Sequence, residues 1–372
     1  MPLGDREGSF SPYLRALHAE IDAMAPLFAG RLLHTIFFGG GTPSLLRPEE
    51  MGAILERVRS HLAWHEAIEI TVEVNPETLT LEKAAAYRAM GVNRLSIGIQ
   101  SLDARALAML GRNHDVQGAR RCFDIAREAG FTKINLDLIW GRPGLTLEGW
   151  AAELSSVLAW GPDHLSLYEL ILEPGTPMTR SVQRGELCLP DDEQRFEMYR
   201  LTRDILDGSG MNWYEISNFC REGQICLHNL HTWQGHDYLG VGPGAHGFLG
   251  SPGFGRRRAN PRNLPKYLSR PEEAPWEARS AEDAVVEALL SGLRIREGFD
   301  PSLLTQRYGL DLAELLGSAL EPLCEAGYLF VDPKRWFVSP RGAEILDEIV
   351  KFLSKKLPDL SERVAFPRTA VF

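Results

Sequence analysis

Cysteine is sparse in this chain and absent before Cys122. The five thiols, Cys122, Cys188, Cys220, Cys226 and Cys324, are spread over 372 residues. No two are close enough for a C-x-x-C pair, and such dispersed thiols suit a reducing cytoplasm. Long apolar runs are also missing. No segment approaches the roughly 18 residues of a membrane helix, and the opening "MPLGDREGSFSP" has no apolar core of a secretory signal. There is no low-complexity segment and no short tandem repeat. Positive charge is in deficit: forty basic side chains face fifty acidic ones, a net charge of −10. That argues against a general nucleic-acid binder. What remains is an ordinary globular composition, 44% hydrophobic and 24% charged, with length for one large domain and a smaller one, or for two to three average ones.

Glycine is not lacking, and its placement is informative. In "TIFFGGGTPSLL", Thr35–Leu46, a short apolar strand stops on three glycines and turns on Thr42-Pro43. The run Ile36–Phe38 reads as a buried strand. Gly39, Gly40 and Gly41 permit backbone angles closed to other residues and let a ligand approach the main chain. Pro43 fixes its own φ and biases Thr42 towards an extended conformation. A simple tight turn is the bland alternative. The loop has neither the Walker order G-x-x-x-x-G-K-[ST] nor G-x-G-x-x-G.

Strand and helix signals then alternate. A helix from Ser11 precedes the first strand, and a helix over about 48–62 follows it. "AIEITVEVNP" reads as a strand, Thr80 caps a helix ended by Gly91, and "NRLSIGIQS" is the next strand. Helices over about 102–110 and 116–129 lead to "KINLDLIWGRPG". A helix over about 147–159 leads to "DHLSLYELILEPG". This repeat predicts an α/β fold with a parallel sheet that closes partly into a barrel, its ligands at the carboxyl ends of the strands. The rim is then Gly40–Pro43, Glu73–Pro76, Gln100, Asp137–Pro143 and Glu169–Pro174.

Beyond residue 180 the pattern changes. An amphipathic helix over "DEQRFEMYRLTRDILDGSG" precedes a glycine- and aromatic-rich block to residue 250. Residues 251–275, rich in Pro, Arg and Gly, read as loop. Helical periodicity returns from Ser280, with "EAGYLFVDPKRWFVSPRG" as a hairpin between helices. The expected organisation is a barrel over 1–180, an extension over 181–250, a linker over 251–279 and a C-terminal helical, winged-helix-like domain over 280–360.

Four polar residues fall on or just after the rim: Glu73, Gln100, Arg112 and Asp137. Each alone reads blandly, as a cap or a solvated side chain. Together they differ. Asp137 interrupts the apolar run "INLDLIW" and Glu73 interrupts "ITVEVN", where an uncompensated carboxylate costs several kcal/mol. A ligand carrying an amine, a ribose diol and a purine would use all four.

"FFGGGTPSLL", "EVNPET", "RLSIGIQSLD", "LGRNHD" and "NLDLIWGRPG", in this order, resemble the radical S-adenosylmethionine enzymes of the oxygen-independent coproporphyrinogen oxidase branch. The likeness runs nearly the whole chain, through "YEISNF" and "YLGVGPGAHG". It implies a partial TIM-like barrel in which Gly40, Gly41 and Thr42 hold the methionyl amine of S-adenosylmethionine. Glu73, Gln100, Arg112 and Asp137 fall on the remaining positions for that ligand. Within the branch, HemW-type haem chaperones carry H-N-x-x-Y-W. Here "HNLHTW" keeps His228, Asn229 and Trp233, with Thr232 in place of the tyrosine. The resemblance makes His228 the haem ligand, imidazole being a standard axial donor; His231, His236 and Cys226 are nearby alternatives.

The family's C-x-x-x-C-x-x-C loop, which supplies three thiolates to a 4Fe–4S cluster, has no counterpart here. The family helix that follows that loop is matched by "YLRALHAEI" from Tyr13, close to Met1. The first strand and cluster loop are therefore expected to be cut off, through a mis-called start or partial gene, rather than mutated in place. The expectation is a cytoplasmic haem chaperone that passes haem to an acceptor protein, a membrane-associated one included, with no nucleic-acid partner and with homodimerisation left open. It keeps an S-adenosylmethionine site but assigns no catalytic residue and no metal ligand. The alternatives are a coproporphyrinogen oxidase whose cluster loop lies upstream, and a cluster-less S-adenosylmethionine-binding or interaction module.

Overall fold

The structure is a computed structural model that describes residues 10–363. Seven strands form one sheet: β1 (Leu32–Phe38), β2 (Ala63–Val74), β3 (Arg94–Gln100), β4 (Ile134–Trp140), β5 (His164–Glu169), β6 (Asn212–Glu215) and β7 (Asn218–Cys220). The spatial order is β1-β2-β3-β4-β5-β7-β6. The pairs β2–β3, β3–β4 and β4–β5 are parallel. An order that advances strand by strand without reversal is that of an open (β/α) barrel; a doubly wound sheet reverses at a switch point. The partial barrel is therefore present. The far end was not legible in the pattern: β7 pairs antiparallel with β5, and β6 antiparallel with β7.

The local chemistry explains these elements. Leu95, Ile97 and Ile99 of β3 and Ile134, Leu136 and Leu138 of β4 are fully buried. They pair β-branched and apolar side chains on a sheet covered by helices. Those helices start on side-chain caps: Thr80, Asp103, Asp115 and Thr146 each accept a backbone N–H in the first turn. In three of them a left-handed glycine directly follows the C-cap residue: Gly91 at φ 101°, Gly111 at φ 66° and Gly130 at φ 84°.

The chain divides into two compact units. One holds Thr35–Pro48 and Ile68–Cys226; the other holds the chain up to His34, Glu49–Ala67 and the chain from Leu227 onward. In the second, the first helix (Ser11–Met24) buries Glu20 completely. Its carboxylate accepts from Arg258 Nη1 at 2.5 Å, Asn260 Nδ2 at 2.6 Å, Tyr267 Oη at 2.8 Å and Gly242 N at 2.9 Å. An unpaired buried carboxylate would be prohibitive; four donors compensate it and tie the "YLGVGPGAHG" loop to the helix.

The stretch 251–279, expected as a linker, is folded. Strands β8 (His246–Leu249), β9 (Arg256–Ala259) and β10 (Trp276–Ala278) form a three-stranded antiparallel sheet, and Leu264–Ser269 is a helix. The arginine-rich composition disguised a strand, because Arg258 is consumed internally by Glu20 while Arg257 and Arg279 grip Glu287. In the C-terminal helical region the hairpin is present: β11 (Leu329–Val331) pairs antiparallel with β12 (Trp336–Val338) around a buried Trp336. No helix among the described residues is long and apolar enough to cross a membrane.

Candidate functional site

The carboxyl ends of β1 to β5 gather the polar rim within one unit. Gly40, at φ 102°, directs its N–H to Glu73 Oε2 at 3.0 Å. A Cβ on Gly40 or Gly41 would meet no atom within 4 Å, so space over this loop is open. Thr42 precedes a single 3₁₀ turn, Pro43–Leu45. Ser44 underpins the turn: its hydroxyl shares a hydrogen bond with Thr78 and accepts from Asn75 N, and Lys83 Nζ donates to its carbonyl at 2.7 Å.

Strand register aligns the polar groups into tiers. Glu73 lies beside Ser96, Ser96 beside Asn135, Asn135 beside His164, and Asp137 beside Ser166. Asn135 Nδ2 donates to Asp137 Oδ1 and to Ser96 Oγ, each at 2.7 Å. Ser96 Oγ donates to Asp137 Oδ2 at 3.1 Å. On the other side, His164 Nδ1 lies 2.7 Å from Asn135 Oδ1, and His164 Nε2 lies 2.9 Å from Tyr214 Oη. An amide oxygen can only accept, so His164 donates through Nδ1 and accepts from the tyrosine hydroxyl. Burial pushes the His164 pKa well below the usual imidazole range, with Arg94 adding to the effect. The ring is thus a neutral link in a chain that ends on Asp137.

Both carboxyls are held above the ordinary carboxylate range. Burial, then the charge of Asp137, pushes Glu73 up to about 7, against the Gly40 N–H. Burial pushes Asp137 up to about 6, against hydrogen bonds from Asn135, Ser166 and Ser96 and the field of Arg112. Both keep part of their surface accessible. Protein withdraws most of the water that would solvate their charge, which is where functional carboxyls concentrate. Gln100 is the single non-glycine residue with positive φ among the described residues, at 63°. It follows an irregularity in the β3–β4 register, a strained backbone of the kind that clusters at ligand sites. Arg112 is exposed and reaches Asp137 through its field.

Ser96, Asn135, His164, Ser166, Tyr168 and Tyr214 were not singled out from the sequence. A signal existed for four of them: "RLSIG", "INLDL" and "HLSLY" each break an apolar strand with a polar residue. Tyr168, at the end of β5, feels Asp137, Glu215 and Glu73, and burial together with these anions raises its phenol pKa.

His228 lies in the short helix Leu227–Trp233, none of whose residues is fully buried. Asn229 and Trp233 share that helix. Arg294 lies over the Trp233 ring at 4.5 Å. The indole Nε1, itself buried, has no hydrogen-bond partner among the described residues. Thr232 turns its hydroxyl back to the His228 carbonyl at 2.9 Å. Cys226 is buried, its Sγ 3.5 Å from Glu69. His236 is shifted below the ordinary histidine range by burial, His231 and Arg307. Cys122 and Cys220 are buried thiols pushed up to about 12 and about 11. Among the described residues no three His, Cys, Asp or Glu side chains form a group that could hold a metal ion.

Comparison with known proteins places this geometry. The Radical SAM superfamily model matches residues 8–155, and the HemN C-terminal domain model matches residues 280–345. The chain is 36% identical over 354 residues to "Heme chaperone HemW" of Mycobacterium tuberculosis, covering 93% of this chain and 87% of that protein. It is 33% identical over 343 residues to the Bacillus subtilis protein of the same name, covering 91% and 89%. Among solved structures it resembles the Escherichia coli coproporphyrinogen III oxidase HemN, a radical SAM enzyme. The TM-score is 0.78 at 26% identity, over 95% of this chain and 85% of that one. An open barrel with its polar rim, a C-terminal helical region and these relationships lead to one assignment: the chain belongs to the radical SAM superfamily, in the family of the heme chaperone HemW.

Proposed function

We propose that this chain is a haem chaperone: it binds haem and hands it to an acceptor protein in the cytoplasm. The observation that carries the reading is the 36% identity over 93% of the chain to a protein named for that role. The helix bearing His228, Asn229 and Trp233 supports it. His228 is partly accessible rather than buried in the core, as an axial donor must be to meet iron. A coproporphyrinogen oxidase activity is not favoured, because the oxidase neighbour is the more distant in sequence, at 26% identity.

The strand-end basin is read as the S-adenosylmethionine site. Its residues fit that ligand: open space over Gly40 and Gly41, two carboxyls of raised pKa for an ammonium group and a ribose diol, and Gln100 and Arg112 around them. An ammonium beside Glu73 would draw its carboxyl back to the ionised form. A 4Fe–4S cluster, when bound, supplies the electron that cleaves S-adenosylmethionine in this superfamily. The described residues do not fit that group, since none of the thiols gathers with others. No radical step is therefore assigned to them. The haem acceptor is a protein; homodimerisation belongs to the same proposal and is read out by sedimentation.

The test is a haem titration of the purified full chain, followed by its Soret band, then transfer to an apo-protein with the acceptor mixed in excess. Saturable uptake that weakens by about tenfold or more in His228→Ala is expected, as loss of one iron–imidazole bond entails. No uptake by the wild type, or a His228→Ala variant with unchanged affinity and spectrum, would overturn the reading.

A further inference from the structure

Four imidazoles converge beside the motif helix, all within the unit that holds Leu227 onward. His34, near the end of β1's first half, stacks on His65 of β2 with ring centroids 4.6 Å apart and planes at 27°. His34 also meets His231 of the motif helix edge-on, at 6.0 Å and 86°. His231 stacks in turn on His236 at 4.8 Å and 13°. Three separated stretches of sequence thus bring four of the chain's ten histidines into one continuous array. None of the four rings is buried, and His34 and His236 are exposed, so the array stands open to an incoming ligand and each ring carries a nitrogen able to bind iron.

The surroundings of the array have a specific chemistry. His231 is three residues after His228, so both project from one side of their helix. Leu32, 56% exposed, is two residues before His34 on the same face of β1. Arg307 Nη1 donates to the carbonyl of Gly235, next to His236, at 3.2 Å. Arg31 pairs with Asp237 on its other side. Imidazole donors, an exposed aliphatic side chain and the Arg307 guanidinium, which meets only a backbone carbonyl there, suit a flat, apolar, dicarboxylate macrocycle with a central iron, while Arg31 is already met by Asp237. A bare ion needs three or four donors around one point, and among the described residues no such group exists. Iron in a porphyrin takes four donors from the macrocycle and needs only one or two from protein.

We propose that the His34–His65–His231–His236 array is a second haem-iron seat beside His228, with His231 or His236 as the axial donor. It rests on the haem-chaperone reading and extends it: haem can be held on imidazole at more than one position of the same surface, which is what a carrier needs to release its cargo by stepwise ligand exchange. Iron keeps its oxidation state throughout; one iron–nitrogen bond forms as another breaks.

The test uses the full chain and ferric haem, with absorption and electron paramagnetic resonance spectra reporting the axial ligand. The variants are His228→Ala, the pair His231→Ala with His236→Ala, and all three together. His228→Ala is expected to keep imidazole-ligated haem, with affinity reduced by about tenfold to a hundredfold. The triple variant is expected to lose the imidazole signature, and free imidazole added to it should restore that signature. Retained imidazole ligation in the triple variant, or its complete loss in His228→Ala alone, overturns the proposal while leaving the chaperone reading intact. Absence of haem uptake by the wild type overturns both. Circular dichroism checks folding, and His231→Gln with His236→Gln replaces the alanine pair if that pair unfolds.

Discussion

The strand-end basin and the motif helix solve opposite problems. The basin holds two carboxyls that would be anions in water and are pushed towards neutrality by burial. Its geometry is built from consecutive parallel strands, where register alone lines up Glu73, Ser96 and Asn135. The motif helix has no fully buried residue and gathers imidazoles from β1, β2 and its own C-terminal side. One site is a hydrogen-bonded network on consecutive strands, read as the S-adenosylmethionine site. The other is half-open and suited to a ligand that must leave again.

The largest effect that would break this contrast is at Asp137. Asp137→Ala leaves Asn135 and Ser96 with unsatisfied donors, so S-adenosylmethionine affinity is expected to fall about a hundredfold or more. Calorimetric titration of the full chain measures it, and an unchanged affinity would remove Asp137 from the site. Glu73 gives the next largest effect, through pH. Its folded pKa of about 7 lies above the ordinary value of 4.5, so the folded state holds the extra proton between the two. Stability without ligand should therefore fall as pH rises from about 4.5 to 7, by about 1–3 kcal/mol. Glu73→Gln should flatten that slope in denaturant titrations. A slope shared by wild type and variant would mean that Glu73 titrates normally.

The supporting network should cost less. His164→Leu removes the link between Asn135 and Tyr214 and is expected to destabilise by about 1–3 kcal/mol, weakening ligand binding only indirectly. The smallest effect has the opposite sign. Gln100→Gly relieves a left-handed backbone and should raise stability by up to about 1 kcal/mol while lowering S-adenosylmethionine affinity. A loss of stability instead would show that the Gln100 side chain is structural.

The same contrast explains what the sequence could reveal. The barrel was legible because alternating strands and capped helices are local signals, and the carboxyls stood out because Asp137 and Glu73 interrupt apolar runs. The network beneath them was half-hidden, since Tyr214 comes from a hairpin fifty residues after its partner His164, and no local pattern announces an antiparallel addition to a parallel sheet. The strand β9 was misread as linker because its arginines look solvated until Glu20 and Glu287 supply their partners. Of the histidine array, His231 and His236 were legible beside the motif, whereas His34 and His65 belong to strands that only the fold brings against His231.

The most direct test of the account is a paired titration. Wild type, Asp137→Ala and His228→Ala are each titrated with S-adenosylmethionine by calorimetry and with haem by absorption. The account predicts a double dissociation: Asp137→Ala loses S-adenosylmethionine and keeps haem, while His228→Ala keeps S-adenosylmethionine and weakens on haem. A chain that binds no haem, or variants that each lose both ligands together, would contradict it.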